Sequence, residues 1–221
     1  MAGSAQQFYH STAAGGKKRD NRAMWRMGVF ICALAIGQVA AEDIAAGRLL
    51  VASEKLGDPN FAESVILVVQ HDDEEGTVGL ILNRRSDVPL SKLFPDVKGA
   101  KSDPVYVGGP VGKGSAQALV RLPAKVEGAR RVEADIYLTA DKALVEKSVA
   151  SGADPSRFRM YAGYAGWAPG QLEMEIELGA WTVMRAGAGA VFDDDPESLW
   201  IRMSRESQKV VAHAGRNNQM W

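Results

Sequence analysis

One stretch, Ser64-Val-Ile-Leu-Val-Val-Gln-His71, limits the fold more than any other part of the chain. Its core is an unbroken apolar run rich in β-branched residues, which favours extended backbone. The lack of polar–apolar alternation means that both faces of the strand must be covered. Such a strand belongs inside a sheet, with neighbours on each side and further side chains above and below. A chain of 221 residues, 46% hydrophobic and 24% charged, can supply that cover, and its length suits one domain rather than two.

Other elements follow from local patterns. Arg48–Ser53 reads as a strand and Gly57-Asp-Pro-Asn60 as a turn. Asp72-Asp-Glu-Glu-Gly76 is a polar turn from which Thr77–Asn83 returns as the second arm of an antiparallel hairpin. Val88–Phe94 reads as one or two helical turns ended before Pro95. Val105–Val107, Ala116–Leu122, Val132–Leu138 and Phe158–Tyr164 read as strands, and Thr139 is placed to cap a helix running to about Ala150, stopped by Gly152. Gln171–Leu178 is ambiguous: its apolar residues alternate as in a strand, whereas Pro169, the Glu, Leu and Met content and Gly179 suit a helix. Asp193–Asp195 with Pro196 open a last helix carrying Leu199, Trp200 and Met203. Hairpins occur without a regular βαβ rhythm, which predicts one mixed α+β domain over about residues 42–210, with a polar tail at 211–221.

The net charge of −1 conceals an asymmetry. Residues 1–41 hold Lys17, Lys18, Arg19, Arg22 and Arg26 against Asp20, a net of 5 − 1 = +4, which leaves −1 − 4 = −5 for the rest. The basic residues precede the apolar run Gly28–Ala41, which is shorter than the roughly 20 residues needed to span a bilayer. With small residues at Val39 and Ala41, this is the pattern of a secretory leader cleaved after Ala41. It predicts a periplasmic or secreted protein with no stable transmembrane helix. An uncleaved anchor, or a true start at Met24 or Met27, would alter that expectation. The sole cysteine, Cys32, lies in this run, so cleavage would leave neither a disulfide nor a thiolate for catalysis or zinc. The acidic remainder disfavours direct nucleic-acid binding.

Several chemical motifs fail on inspection. In Gly108-Gly-Pro-Val-Gly-Lys-Gly-Ser115, Lys113 is followed by glycine and Val107 stands where a phosphate loop requires glycine. Gly163-Tyr-Ala-Gly-Trp167 has alanine where a nucleophile elbow requires serine. The carboxylates after His71 lack calcium-loop spacing, and beyond the leader only His71 and His213 remain, so no metal or cofactor is expected. Two chemical options persist: His71 as a general base oriented by Asp72, and Arg84 with Arg85 as holders of a carboxylate or phosphate.

Gly57-Asp-Pro-Asn-Phe61, His71–Gly76 followed by Gly79-Leu-Ile-Leu-Asn-Arg84, Tyr106-Val-Gly-Gly-Pro-Val111, and Gly163–Glu173 with Trp181 occur in an order and spacing that resemble the YqgE/AlgH family of bacterial proteins. The resemblance covers about residues 47–205. It implies a single domain with a bulged, barrel-like mixed β-sheet flanked by helices, and it tips 171–178 toward helix. It brings no established reaction. The family is largely uncharacterised and usually cytosolic, and one member is associated with the control of alginate production. The sequence departs from it in three ways: Arg85 replaces a common proline, the segment after Pro110 lacks the usual aromatic and histidine, and the leader is unusual. The matched residues sit in turns able to converge on one site. The leading expectation is therefore a non-enzymatic binding or regulatory protein for an unknown protein or a small anionic ligand. Its candidate surface comprises Asp58, Asn60, Asn83, Arg84, Gly108, Gly109, Tyr164 and Trp167. The alternatives are a small hydrolase using His71 and Asp72, and a cytosolic transcription-linked regulator.

Overall fold

A computed structural model describes residues 44–98, 103–152 and 154–217. The leader, residues 1–41, lies outside the described residues, as does the end of the polar tail, 218–221. Among the described residues, ten strands form one sheet: β1 (Arg48–Ala52), β2 (Val65–Asp72), β3 (Gly76–Ile81), β4 (Arg85–Pro89), β5 (Pro104–Val107), β6 (Val111–Arg121), β7 (Ala129–Glu133), β8 (Ile136–Thr139), β9 (Phe158–Trp167) and β10 (Trp181–Arg185). Five helices accompany them: α1 (Leu90–Leu93), α2 (Lys142–Ala150), α3 (Gln171–Glu177), α4 (Ala188–Val191) and α5 (Pro196–Asn217). The architecture is α+β, as the sequence pattern predicts. α3 resolves the ambiguous segment as a helix.

The strand order is β10-β1-β2-β3-β9-β6-β8-β7, with β4 and β5 attached beside β9. Among the described residues only the β5–β9 ladder is parallel, and register shifts interrupt the β2–β3, β4–β5, β6–β9 and β7–β8 ladders. Such bulges increase local twist and bend a sheet, consistent with its curled, half-barrel form. β2 occupies the interior position that its apolar run demands. Val65, Leu67 and Val69 enter one buried cluster with Leu199, while Ile66 and Val68 enter another with Leu172, Trp167 and Trp181. All five are 0% exposed. α5 thus covers one face of the strand and α3 the other, and a third cluster joins β6, β8 and β9 to α2 through Val145 and Val149.

Several local expectations need correction. Val132–Leu138 is not one strand: β7 and β8 form a hairpin, with Ala134 at the turn in a left-handed conformation (φ 40°). Thr139 does not cap α2. Asp141 does so by accepting the Leu144 N–H at 2.8 Å, while the Thr139 hydroxyl donates to the Gly128 carbonyl. The helical turn expected in Val88–Phe94 is present as Leu90–Leu93, but Val88 and Pro89 at its start belong to β4. The glycine-rich stretch 111–115 is the exposed first half of β6. α5 also continues to Asn217, past the boundary drawn at residue 210.

Candidate functional site

The turn residues singled out in the sequence do converge, but in separate groups. In the first, Asp58 Oδ1 accepts the Asn60 N–H at 2.8 Å, which sets the turn before Phe61. Asn83 and Arg84, following β3, clamp this loop from across the chain. Asn83 Oδ1 accepts the Val65 N–H at 2.9 Å and its Nδ2 donates to the Glu63 carbonyl at 2.9 Å. Arg84 donates to the carbonyls of Asn60 and Ala62. Partial burial lowers the Arg84 pKa, opposed by the nearby Asp58 carboxylate. The arginine that the sequence offered for an anion is thus engaged by backbone oxygens.

In the second group, Gly108 and Gly109 press against β9. A Cβ on Gly109 would stand 2.2 Å from the Tyr164 carbonyl, so the two backbones can meet only because no side chain intervenes. Tyr164 is half-buried and pairs with Val111. Trp167, farther along β9, stacks on Phe61 at 5.8 Å between ring centroids and meets Trp181 edge-on at 5.9 Å. Glu175 of α3 ties this aromatic cluster together, because its Oε2 accepts both indole N–H groups, at 2.9 and 2.8 Å. Asp58, Asn60, Asn83, Arg84 and Trp167 are therefore linked through Phe61 into one packed assembly.

His71 and Asp72 lie elsewhere. Arg84 is anchored near Val65, at the other end of β2, and six residues of strand separate the two ends by roughly 20 Å. His71 Nδ1 bonds the Thr77 hydroxyl at 2.9 Å, and its Nε2 lies 3.6 Å from Asp73 rather than meeting Asp72. Asp72 instead accepts the N–H groups of Glu74 and Glu75. These bonds, from Glu75 first and then Glu74, hold its carboxyl below the ordinary value. It is the cap of a hairpin turn. Neither of the two cavities described below is lined by His71. Among the described residues, no group of three His, Cys, Asp or Glu side chains is placed to hold a metal ion.

The arrangement with the most unspent chemistry involves residues that the motif reading passed over. A cavity of about 230 Å³ opens beside the first residues of β9, lined among others by Arg85, Leu90, Asp103, Tyr106, Arg159 and Asp194. Arg159 is only 4% exposed. Its guanidinium donates to the carbonyls of Pro155, Val191 and Asp193, and sits 5.0 Å from the centroid of the Tyr106 ring. No carboxylate among the described residues forms an ion pair with it, although buried charges are normally paired. Arg85 stands opposite Tyr106 across the β4–β5 ladder and reaches Glu197 at 3.3 Å. The Tyr106 hydroxyl, with Glu197 and Asp195 behind it, raises its pKa. Asp103 Oδ2 and the hydroxyl of wholly buried Tyr161 are shielded from solvent and have no hydrogen-bond partner among the described residues. Burial raises the Tyr161 pKa far above the ordinary tyrosine value, and nearby Arg159 opposes the shift. A wider depression of about 500 Å³ adjoins Arg121, Asp193 and Arg202, but there Arg202 already grips Asp193 at 2.6 Å and Arg121 pairs with Asp135 at 2.8 Å. One signal for the first cavity was present in the sequence: Arg159 is flanked by Phe158, Met160 and Tyr161 in a strand pattern. Alternation alone would have assigned it to solvent.

The family model described as AlgH-like matches residues 49–211. The chain belongs to the AlgH-like family. A UPF0301 protein of Streptomyces avermitilis is 40% identical over 177 residues, covering 75% of this chain and 88% of the relative. Another, from Chlorobium phaeobacteroides, is 31% identical over 177 residues, covering 78% and 94%. Among solved structures, the crystal structure of protein DIP2367 from Corynebacterium diphtheriae aligns with TM-score 0.63 at 30% identity, over 75% of this chain and 88% of that one. The solution structure of the AlgH protein from Pseudomonas aeruginosa aligns with TM-score 0.61 at 27% identity, over 79% and 93%. These likenesses bear out the family and the fold expected from the turn motifs. AlgH-like proteins bring no established reaction with them.

Proposed function

We propose that this chain acts by binding rather than by turnover, and that its ligand is a small anionic molecule held in the cavity between Arg85 and Arg159. One observation carries this reading: a buried guanidinium that lines a cavity and has no carboxylate within ion-pair distance among the described residues, the Asp193 carboxylate acting on it only from farther away. Burying a cation is unfavourable unless an anion or a full set of acceptors compensates it. Three backbone carbonyls supply only partial compensation, and a carboxylate or phosphate would complete it with a charge-assisted, two-pronged contact. The roughly 20 Å between His71 and the Arg84 anchor supports binding over the hydrolase reading. The leader adds that the binding takes place after export, in the periplasm or outside the cell. Mass spectrometry of the protein from its native host tests this part, and an intact leader in a soluble cytoplasmic fraction overturns it.

The binding reading is tested by thermal unfolding of the full chain with acetate, propionate and inorganic phosphate. A ligand present at ten times its Kd stabilises by about 1.4 kcal/mol, or roughly 3–6 °C for a domain of this size. Arg85→Gln should weaken the response and Arg159→Gln should abolish it. If no anion raises the melting temperature, or if both variants respond like the parent, the reading is wrong.

A further inference from the structure

The outer face of α3 differs from the rest of the surface. Among the described residues, five large apolar side chains are exposed: Val111, Val126, Met174, Leu178 and Ile201. Apolar residues exposed singly are ordinary, and Val111, Val126 and Ile201 stand on separate elements and loops. Met174 and Leu178 are 61% and 79% exposed and four residues apart, Leu178 being the C-cap of α3 in helical conformation. They therefore lie side by side on one face. The opposite face is anchored: Leu172 is 0% exposed, and with Ile176 it joins the cluster of Trp167 and Trp181, whose indoles Glu175 holds. The apolar pair is thus presented on a fixed support.

Charge decides what can cover it. Glu173 and Glu177 flank the pair, and neither has a cation within ion-pair distance among the described residues. Glu177 stands in the last turn, where the carbonyl end of a helix disfavours negative charge, and no basic residue is there to offset it. The acidic turn Asp72–Glu75 adds to this field, because Gly76 packs against the backbone of Trp167 and Ala168 just ahead of α3. A second copy packed face to face would bring the glutamates of both copies together, and an anionic membrane would be repelled. A cationic partner would relieve the glutamates and the helix end at once.

We propose that this face docks a protein partner through a basic amphipathic helix, its apolar residues over Met174 and Leu178 and its Lys or Arg side chains against Glu173 and Glu177. Anchors one helical turn apart are the pattern of such contacts, and methionine adapts readily to them. No residue of α3 lines the anion cavity, so this surface stands independently of the reading above. The test is fluorescence anisotropy of labelled peptides with the full chain at neutral pH and physiological salt. One peptide combines lysine with leucine at helical spacing, a second has glutamate in place of lysine, and a third has serine in place of leucine. The leucine–lysine peptide should bind at least about tenfold more tightly than either other. Met174→Gln with Leu178→Gln should weaken it about tenfold or more, and so should Glu173→Lys with Glu177→Lys. None of these four side chains is buried, so the melting temperature of either variant should stay within about 4 °C of the parent. Asp96→Lys with Glu127→Lys makes the same change of charge beside the cluster that α2 covers, and should leave the affinity within about twofold. Absence of binding, equal binding of all three peptides, or an equal loss in the two charge-reversed variants overturns the proposal. A dimer of the chain that Leu178→Gln dissociates in sedimentation also overturns it, by assigning the face to a second copy. The peptide comparison in the parent protein decides the matter even if a variant folds poorly.

Discussion

Replacing Asn83 with alanine should destabilise the domain out of proportion to the residue's half-exposed position. The side chain makes two bonds, one accepted from the Val65 N–H and one donated to the Glu63 carbonyl. Val65 is 0% exposed, so its N–H would lose its acceptor where water cannot reach, at a cost of about 1–3 kcal/mol. The second bond adds about 0.5–1.5 kcal/mol, and it holds Glu63, a non-glycine residue at φ 55°, in its left-handed conformation. The sum is roughly 2–4 kcal/mol, or a fall in melting temperature of about 5–15 °C for a domain of this size. Urea and thermal unfolding followed by tryptophan fluorescence suit the measurement, because the clamped loop carries Phe61 onto Trp167. Asn83→Asp is the control: it retains the acceptor for Val65 and sacrifices only the donor, so it should lose less than half as much. A change below about 0.5 kcal/mol in Asn83→Ala would refute the clamp, and so would equal damage from the two substitutions.

Two further outcomes follow from the packing. Glu175→Leu should strand the indole N–H groups of Trp167 and Trp181 beneath α3. This should cost about 2–5 kcal/mol and shift tryptophan emission to the red, whereas Glu175→Gln should lose less because one carbonyl oxygen remains. The pair Asp193–Arg202 should give pH-dependent stability. Burial pushes the Asp193 pKa up, but the Arg202 guanidinium and the Asp195 N–H outweigh it and hold the carboxyl below its ordinary 3.8. A depressed folded-state pKa means that the contribution is present above the unfolded value and disappears as pH falls through the folded one. Arg202→Ala should therefore lose about 1 kcal/mol near neutral pH, and the loss should shrink toward zero between about pH 4 and pH 2. An equal loss at both extremes would assign Arg202 a packing role only.

The sheet was legible where side chains declare their surroundings and obscure where they do not. The apolar run of β2 could be read as an interior strand because leucine, isoleucine and valine tolerate no other placement there. The β7–β8 hairpin is hard to read because Asp135, the one turn-former in Ala134-Asp135, has no glycine or asparagine beside it, and the left-handed Ala134 is stabilised by its setting: the Glu133 carboxylate accepts its N–H and Arg131 bonds its carbonyl. Thr139 and Asp141 are both competent caps. The choice between them fell to the Gly128 carbonyl, which claims the threonine hydroxyl from a distant turn. At the site, the motif residues proved easy to find and hard to interpret. Asp58, Asn83 and Arg84 satisfy the backbone of residues 60–65, a role that no spacing reveals. Arg85, Asp103 and Arg159 come from separate strands and loops and gather through the β4–β5 ladder and the parallel β5–β9 contact.

The position of β9 bears on how the chain reaches this state. It lies between β3 and β6 and also pairs with β5, so the two wings of the sheet are joined through it. Yet it begins only at Phe158. During synthesis, β3 and β6 must wait with unpaired edges until the ribosome has delivered Trp167. Such edges invite pairing with other chains, and closure over so long a separation is slow. The interval before β9 inserts is thus the period in which a nascent chain most needs a chaperone, and a message truncated ahead of Phe158 would yield an aggregate rather than a smaller domain.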